Sequence, residues 1–262
     1  MSAIIAVRVS DAIHIMTDAA MTDVKSGKLA AIQSKQILLQ SGIMIAGLGP
    51  WGPCRQFASL AQERVKSFDE LIDVAEMLWK EARAVVPAGV ADQSYALAFA
   101  GYSETRERLH LIVIESDPVA FPADQEAFAI WDTPAFMGGP IPIGKTDDFV
   151  TPFFERLEKS PDDFDPHRDG LEIMETLRTR YPFPYKDRSG VAVGGYVQLS
   201  TIRQGHITSE VIKHWPGDQI GKCIKPDSEP PLLWFPQLTE MIAQREWRDG
   251  VMRRGIAEIG LN

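Results

Sequence analysis

Ser2-Ala3-Ile4-Ile5-Ala6-Val7-Arg8-Val9-Ser10-Asp11-Ala12-Ile13-His14-Ile15-Met16-Thr17-Asp18 is the stretch from which the rest of the chain is read. Ser2 to Val9 is rich in Ile and Val and predicts a buried strand. Ser10-Asp11 is a two-residue turn, and Ala12 to Asp18 alternates as its partner strand would. Removal of Met1 would leave Ser2 with a hydroxyl nucleophile and a free α-amine on one residue. Such an amine titrates at roughly 7.7–8.0, near the range required of a general base at neutral pH. A hydroxyl paired with an N-terminal amine is an established nucleophilic device.

Further along, Ala19 to Ser34 is polar and reads as a loop with a short strand. Lys35 to Gln40 and Ile43 to Ala46 flank Ser41-Gly42 as a second hairpin. Gly47-Leu48-Gly49-Pro50-Trp51-Gly52-Pro53 breaks the pattern. Two helices follow, Cys54 to Lys66 and Asp69 to Val85, the second with Ser67 as its N-cap. Strands are expected at Ser94 to Tyr102, Arg108 to Glu115 and Glu126 to Trp131. A Gly/Pro-rich break covers Met137 to Gly144. Helices then span Asp147 to Lys159 and Asp165 to Arg180. Strands Val191 to Ile202 and Ile207 to His214 precede a Pro-rich tail and a short helix, Leu238 to Arg248. Strand blocks separated by helix pairs indicate an α+β fold and not strict βαβ alternation.

Composition narrows the function. The 262 residues are 45% hydrophobic and 24% charged, enough apolar material for a sizeable core. A net charge of -9, with no basic block interleaved with aromatics, argues against a nucleic-acid groove. Cys54 and Cys223 make neither a disulfide framework nor a metal cluster. The five histidines show no metal-ligand spacing, and His14 and His110 fall in strands, where a structural role is expected. No signal-peptide pattern and no apolar run of membrane-spanning length occur, so a soluble, cytoplasmic protein is expected.

The element order, together with four short patterns, resembles the N-terminal nucleophile hydrolases of the proteasome β-subunit type, the bacterial self-compartmentalising proteases above all. In that family the mature chain starts with the nucleophile, and an Asp follows sixteen residues later; Ser2 and Asp18 have that spacing. A Lys then precedes the next hairpin, as Lys35 does. A Gly-containing turn ends it, as in Ile45-Ala46-Gly47. A late Gly-Gly-x-Val-x-Leu strand matches Gly194-Gly195-Tyr196-Val197-Gln198-Leu199.

The resemblance implies a four-layer αββα sandwich over residues 1–214, with 215–262 a Pro-rich extension packed on the same domain. It implies an amide-bond hydrolase, a peptidase or amidohydrolase, in which Ser2 attacks and its α-amine takes the proton. Lys35 would lower the pKa of nucleophile and amine, Asp18 would orient Lys35, and N–H groups from Gly47 to Gly49 would bind the oxyanion. Neither metal nor organic cofactor is required. The implied partners are a peptide or small amide substrate and further copies of the chain in a ring, with no nucleic acid and no membrane.

The chain departs from the family pattern at three places. Val193 stands where the family often has Ser, Gly190 where it often has Asp, and Pro50 brings no N–H to the oxyanion turn. These departures define the alternative, an inactive member of the same fold serving in assembly or interaction. Taken singly, Ser2 also suits simple Met removal, Asp18 a turn cap, Lys35 a solvated edge strand, and the glycines tight turns or close packing.

Overall fold

The computed structural model describes residues 3–23, 25–85, 96–115, 130–139, 150–180 and 191–225. The opening hairpin is β1 (Ile4–Arg8) and β2 (Ile13–Asp18), antiparallel with Ile4 opposite Thr17 and Arg8 opposite Ile13. Then come β3 (Ala20–Thr22), β4 (Leu29–Ile32), β5 (Gln36–Leu38) and β6 (Met44–Leu48). Helices α1 (Trp51–Arg64) and α2 (Phe68–Ala84) lead into β7 (Ala96–Ser103), β8 (Arg108–Glu115), β9 (Ile130–Asp132) and β10 (Ala135–Gly138). Helix α3 (Val150–Lys159), short 3-10 and π turns, and α4 (Leu171–Arg180) precede β11 (Tyr196–Arg203) and β12 (His206–His214).

Two five-stranded antiparallel sheets result, in the orders β10-β1-β2-β11-β12 and β5-β6-β7-β8-β9, with β3-β4 as a separate hairpin. The period-two alternation of a strand explains why these apolar runs show no polar face. In β1 and β2, Ile4, Ala6, Ile13 and Ile15 enter a cluster that also holds Met44, Ala46, Ala98, Ala100, Leu111 and Val113 from the other sheet. The alternate residues Ile5, Val7 and Met16 pack instead with Phe153, Leu157, Met174 and Leu177 of α3 and α4. The second sheet divides the same way. Ile45, Leu97, Phe99, Ile112 and Ile114 meet Phe57, Leu71, Leu78 and Trp79 of α1 and α2. The inner strands of each sheet are therefore apolar on both faces.

Local chemistry accounts for the helix starts. The Ser67 hydroxyl accepts from Glu70 N at 3.2 Å, while the Glu70 carboxylate accepts from Lys66 N at 2.7 Å, a reciprocal cap of the capping-box kind. Helix α1 begins three residues before the expected Cys54. Pro53 lies in its first turn, where a missing N–H costs no helical bond. The largest correction concerns β10. Ala135–Gly138, partly inside the expected Gly/Pro break, pairs with β1 over Ile4–Val7. Where a loop with one short strand was expected, two short strands form the β3-β4 hairpin. The expected helix from Asp165 is a π turn, Pro166–Gly170, running into α4. Gly190 and the helix expected at 238–248 lie outside the described residues. Trp215 to Lys225 is tied to the same body: Trp215 is buried with α4, and Leu29 N donates to Lys222 O at 2.9 Å. Among the described residues, no helix is long and apolar enough to cross a membrane.

His14 and His110 are both buried in strands, as their positions imply. His14 shares a hydrogen bond with Thr201 Oγ1 at 3.1 Å, and burial lowers its pKa from 6.5 to about 4, with Arg203 adding in the same sense. The sign follows from linkage. As pH falls below 6.5 the unfolded chain binds a proton that the folded chain refuses until about 4. The His14 contribution is complete above that window and is lost across it. After allowance for partial solvent screening it amounts to about 1–2 kcal/mol. Urea unfolding at pH 7 and pH 4.5 is expected to show a smaller difference in stability for His14→Asn than for the wild type.

Candidate functional site

Asp18 ends β2 with its side chain fully buried, and a buried carboxylate needs all its lone pairs satisfied. Four donors converge on it. Oδ1 accepts from Lys35 Nζ at 2.6 Å and from Ala3 N at 2.8 Å. Oδ2 accepts from Ala20 N and from Gly194 N, each at 3.1 Å. The donors come from the start of β1, the start of β3, the approach to β5 and the turn before β11. Ala3 N is also the atom through which Ser2 is joined to the chain. Ser2 itself lies outside the described residues.

Lys35 is 1% exposed at its side chain. Burial lowers its pKa below the ordinary lysine value, and the Asp18 carboxylate works in the opposite direction. Lys35 is held as the buried counter-ion of Asp18, as the resemblance implies, and not as a solvated edge-strand lysine. Lys35 also anchors the second hairpin through its main chain, its carbonyl accepting from Gly47 N at 3.2 Å. The N–H of Gly47 is thus engaged within the protein. Gly47 must be glycine for a packing reason, since a Cβ there would lie 2.6 Å from Cys54 Sγ. Gly49 follows β6 with φ of +92°, a left-handed conformation, and leads directly into α1 at Trp51. Asp18 and Lys35 are thus brought together, and Gly47 of strand β6 is bonded to the Lys35 carbonyl.

Three further residues support this arrangement without any local sequence signal. Gln36 is buried beside Lys35, and its Nε2 reaches Thr17 Oγ1 at 3.1 Å and Gln198 O at 3.0 Å. It thereby ties β5 to β2 and β11 of the other sheet. Asp218 accepts from Gly195 N at 2.7 Å and pairs with Arg178. A buried glutamine next to Lys35, or an Asp in a Pro-rich tail forty residues after an Arg, becomes meaningful only once the chain is folded. His167-Arg168-Asp169 forms a local ion pair on the π turn, with Arg168 Nε 2.9 Å from Asp169 Oδ1.

Removing one partner of a buried pair leaves the other uncompensated, which costs about 3–5 kcal/mol. Asp18→Asn is expected to destabilise the protein by that order in denaturant unfolding. Adding Lys35→Met to it should cost far less than the two single changes summed. Additive losses would mean that the two side chains do not act as a pair.

No protein-family model and no curated protein matches this chain. A solved structure does: the Anbu (Gly-1) mutant from Hyphomicrobium sp. strain MC1, with a TM-score of 0.55 and 16% sequence identity, covering 99% of each chain. Anbu is a bacterial, proteasome-related protein of the N-terminal nucleophile type. At this level of identity the likeness concerns the fold, and the fold of this chain is proteasome-like.

Proposed function

We propose that the chain is an N-terminal nucleophile amide-bond hydrolase, a peptidase or amidohydrolase, acting through Ser2 once Met1 has been removed. The observation that carries this reading is the position of Ala3 N and Lys35 Nζ on the same oxygen of Asp18. A residue attached at Ala3 N is held next to a buried ammonium. That is the neighbourhood a nucleophile with its own amine requires. In this reading the two sheets and the helix pairs on their outer faces are stacked as a four-layer αββα sandwich.

The chemistry runs as acyl transfer. The Ser2 hydroxyl oxygen attacks the amide carbonyl while the Ser2 α-amine takes its proton. The Lys35 charge disfavours protonation of that amine, keeping it available as a base. The carbonyl oxygen becomes an oxyanion, met by main-chain N–H groups of the Gly47–Gly49 segment. Gly49 comes first among these, because the Gly47 N–H already donates to Lys35. Collapse breaks the C–N bond, and the leaving amine receives the proton. Water then hydrolyses the Ser2 ester with the α-amine as base again. The substrate is a peptide or small amide, and the hydroxyl, the amine and Lys35 supply the groups this sequence needs. Assembly of copies into a ring and a cytoplasmic setting belong to the same reading.

Two measurements test it. Intact-mass spectrometry of the native protein is expected to show loss of Met1; retention would end the amine mechanism, since the base would then be an amide. A β-lactone probe should acylate the wild type, while Ser2→Ala should show a loss of about 100-fold or more. Equal labelling of the two proteins would instead identify a non-catalytic chain.

A further inference from the structure

Two buried ion pairs take the successive main-chain amides of Gly194 and Gly195. Gly194 N donates to Asp18, the partner of Lys35, at 3.1 Å. The next amide, Gly195 N, donates to Asp218 at 2.7 Å. Asp218 is bound in a two-pronged fork by Arg178, with NH1 2.9 Å from Oδ2 and NH2 2.8 Å from Oδ1. Both side chains of this second pair are 1% exposed. Arg178 further donates to Val193 O at 2.9 Å and to Lys225 O at 3.0 Å, and its guanidinium lies 4.6 Å from the Trp215 ring centre. The pair presses directly on the turn, since a Cβ on Gly194 would fall 2.5 Å from Asp218 Oδ2 and 3.0 Å from Arg178 NH1.

The turn is gripped on every side. Val193 O, Gly195 N and Gly195 O are taken by Arg178, Asp218 and Trp215 N, and Gly194 O accepts from Ala19 N. What remains is Gly194 N, aimed at Asp18. Fixing the peptide planes on both sides of it fixes its direction. We propose that Arg178 and Asp218 are positioning residues for the site: they orient the Gly194 N–H onto Asp18, and through Asp18 they hold Lys35 and the Ala3 amide in register. This rests on the Ser2 hydrolase reading where it concerns catalysis, and on geometry alone where it concerns Asp18.

The test uses Asp218→Asn, which keeps the side-chain shape and one acceptor but loses the charge and the fork. Arg178→Lys keeps the charge and loses the fork. Ser67→Ala serves as a destabilised control, because Ser67 caps α2, which packs on the other sheet. The first readout is amide hydrogen exchange at Ala3 and Ala20, which donate to Asp18 but do not touch Arg178 or Asp218. Exchange there should quicken about tenfold beyond the change seen at Ile45 and Phe99. In Ser67→Ala no such excess should appear.

The second readout is acylation by the β-lactone probe. The maximal rate should fall about 10- to 100-fold while half-saturation stays within about threefold, because misplacement affects the reacting groups more than probe binding. Arg178→Lys should fall between wild type and Asp218→Asn in both readouts. Exchange changes confined to Gly195 and Trp215, with Ala3 and Ala20 unaffected, would overturn the proposal. So would a labelling loss in which half-saturation rises as much as the maximal rate falls. If wild type and Ser2→Ala label equally, the hydrolase reading fails by itself, and the exchange at Ala3 and Ala20 alone decides whether the second pair positions Asp18.

Discussion

The carboxylate of Asp18 is the constraint on which the arrangement depends. It is a full charge out of contact with water, and four donors from four separate segments satisfy it. None of those segments can shift by an ångström without leaving an acceptor bare, and a bare buried acceptor costs about 1–3 kcal/mol, more when charged. The start of β1, the end of β2, the entry to β5 and the turn before β11 are therefore locked together at one end of the sheets. Gln36 adds a second tie from the next residue along, joining β5 to β2 and β11. The apolar layers stabilise the body of the protein, but they are non-directional. The polar knot at Asp18 supplies the direction.

Stability alone is a poor reason to keep such a knot. Desolvating an ammonium and a carboxylate costs several kcal/mol for each ion, and a well-packed apolar pair of similar volume commonly does as well or better. Lys35 carries the mark of that cost in its lowered pKa, where burial outweighs the attraction of Asp18. In the proposed mechanism, it is the field of this lysine beside the Ala3 amide that matters, more than the energy it contributes. The Arg178–Asp218 pair repeats the pattern at the next amide, Gly195 N. Two costly pairs meet at the successive amides of Gly194 and Gly195, in a chain whose inner strands are already apolar on both faces.

How much of this was legible in the sequence depends on the range of the interaction. The first hairpin and Ser10-Asp11 turn could be read because Ile/Val runs and turn residues act over a few positions. The α2 start could be read because Ser67 and Glu70 cap it locally. The Asp18 and Lys35 pairing came only through a family likeness, since nothing in their spacing alone distinguishes a counter-ion from a solvated lysine. Strand β10 was hidden because Ala-Phe-Met-Gly is short and sits beside Gly and Pro, and its pairing with β1 is set by tertiary contact. Arg178 and Asp218 were hidden for the same reason. Their meaning lies in the distance from Gly194, not in the residues beside them in sequence.

The fold and the chemistry are separable at one bond. Ala3 N is held by Asp18 through the main chain, so the anchor would act on any residue preceding Ala3. The fold thus holds the Ala3 amide beside Lys35, whatever residue precedes it. A nucleophile exists there only if the residue brings a hydroxyl and the amine is free, and both conditions are properties of Ser2 and of Met1 removal, not of the sheets. This is why a proteasome-like fold by itself establishes no activity. In the proposed mechanism, the removal of a single methionine therefore carries more functional weight than any substitution in the apolar layers. A core change weakens the whole body by degrees, whereas one retained peptide bond withdraws the base entirely and leaves the geometry around Asp18 intact.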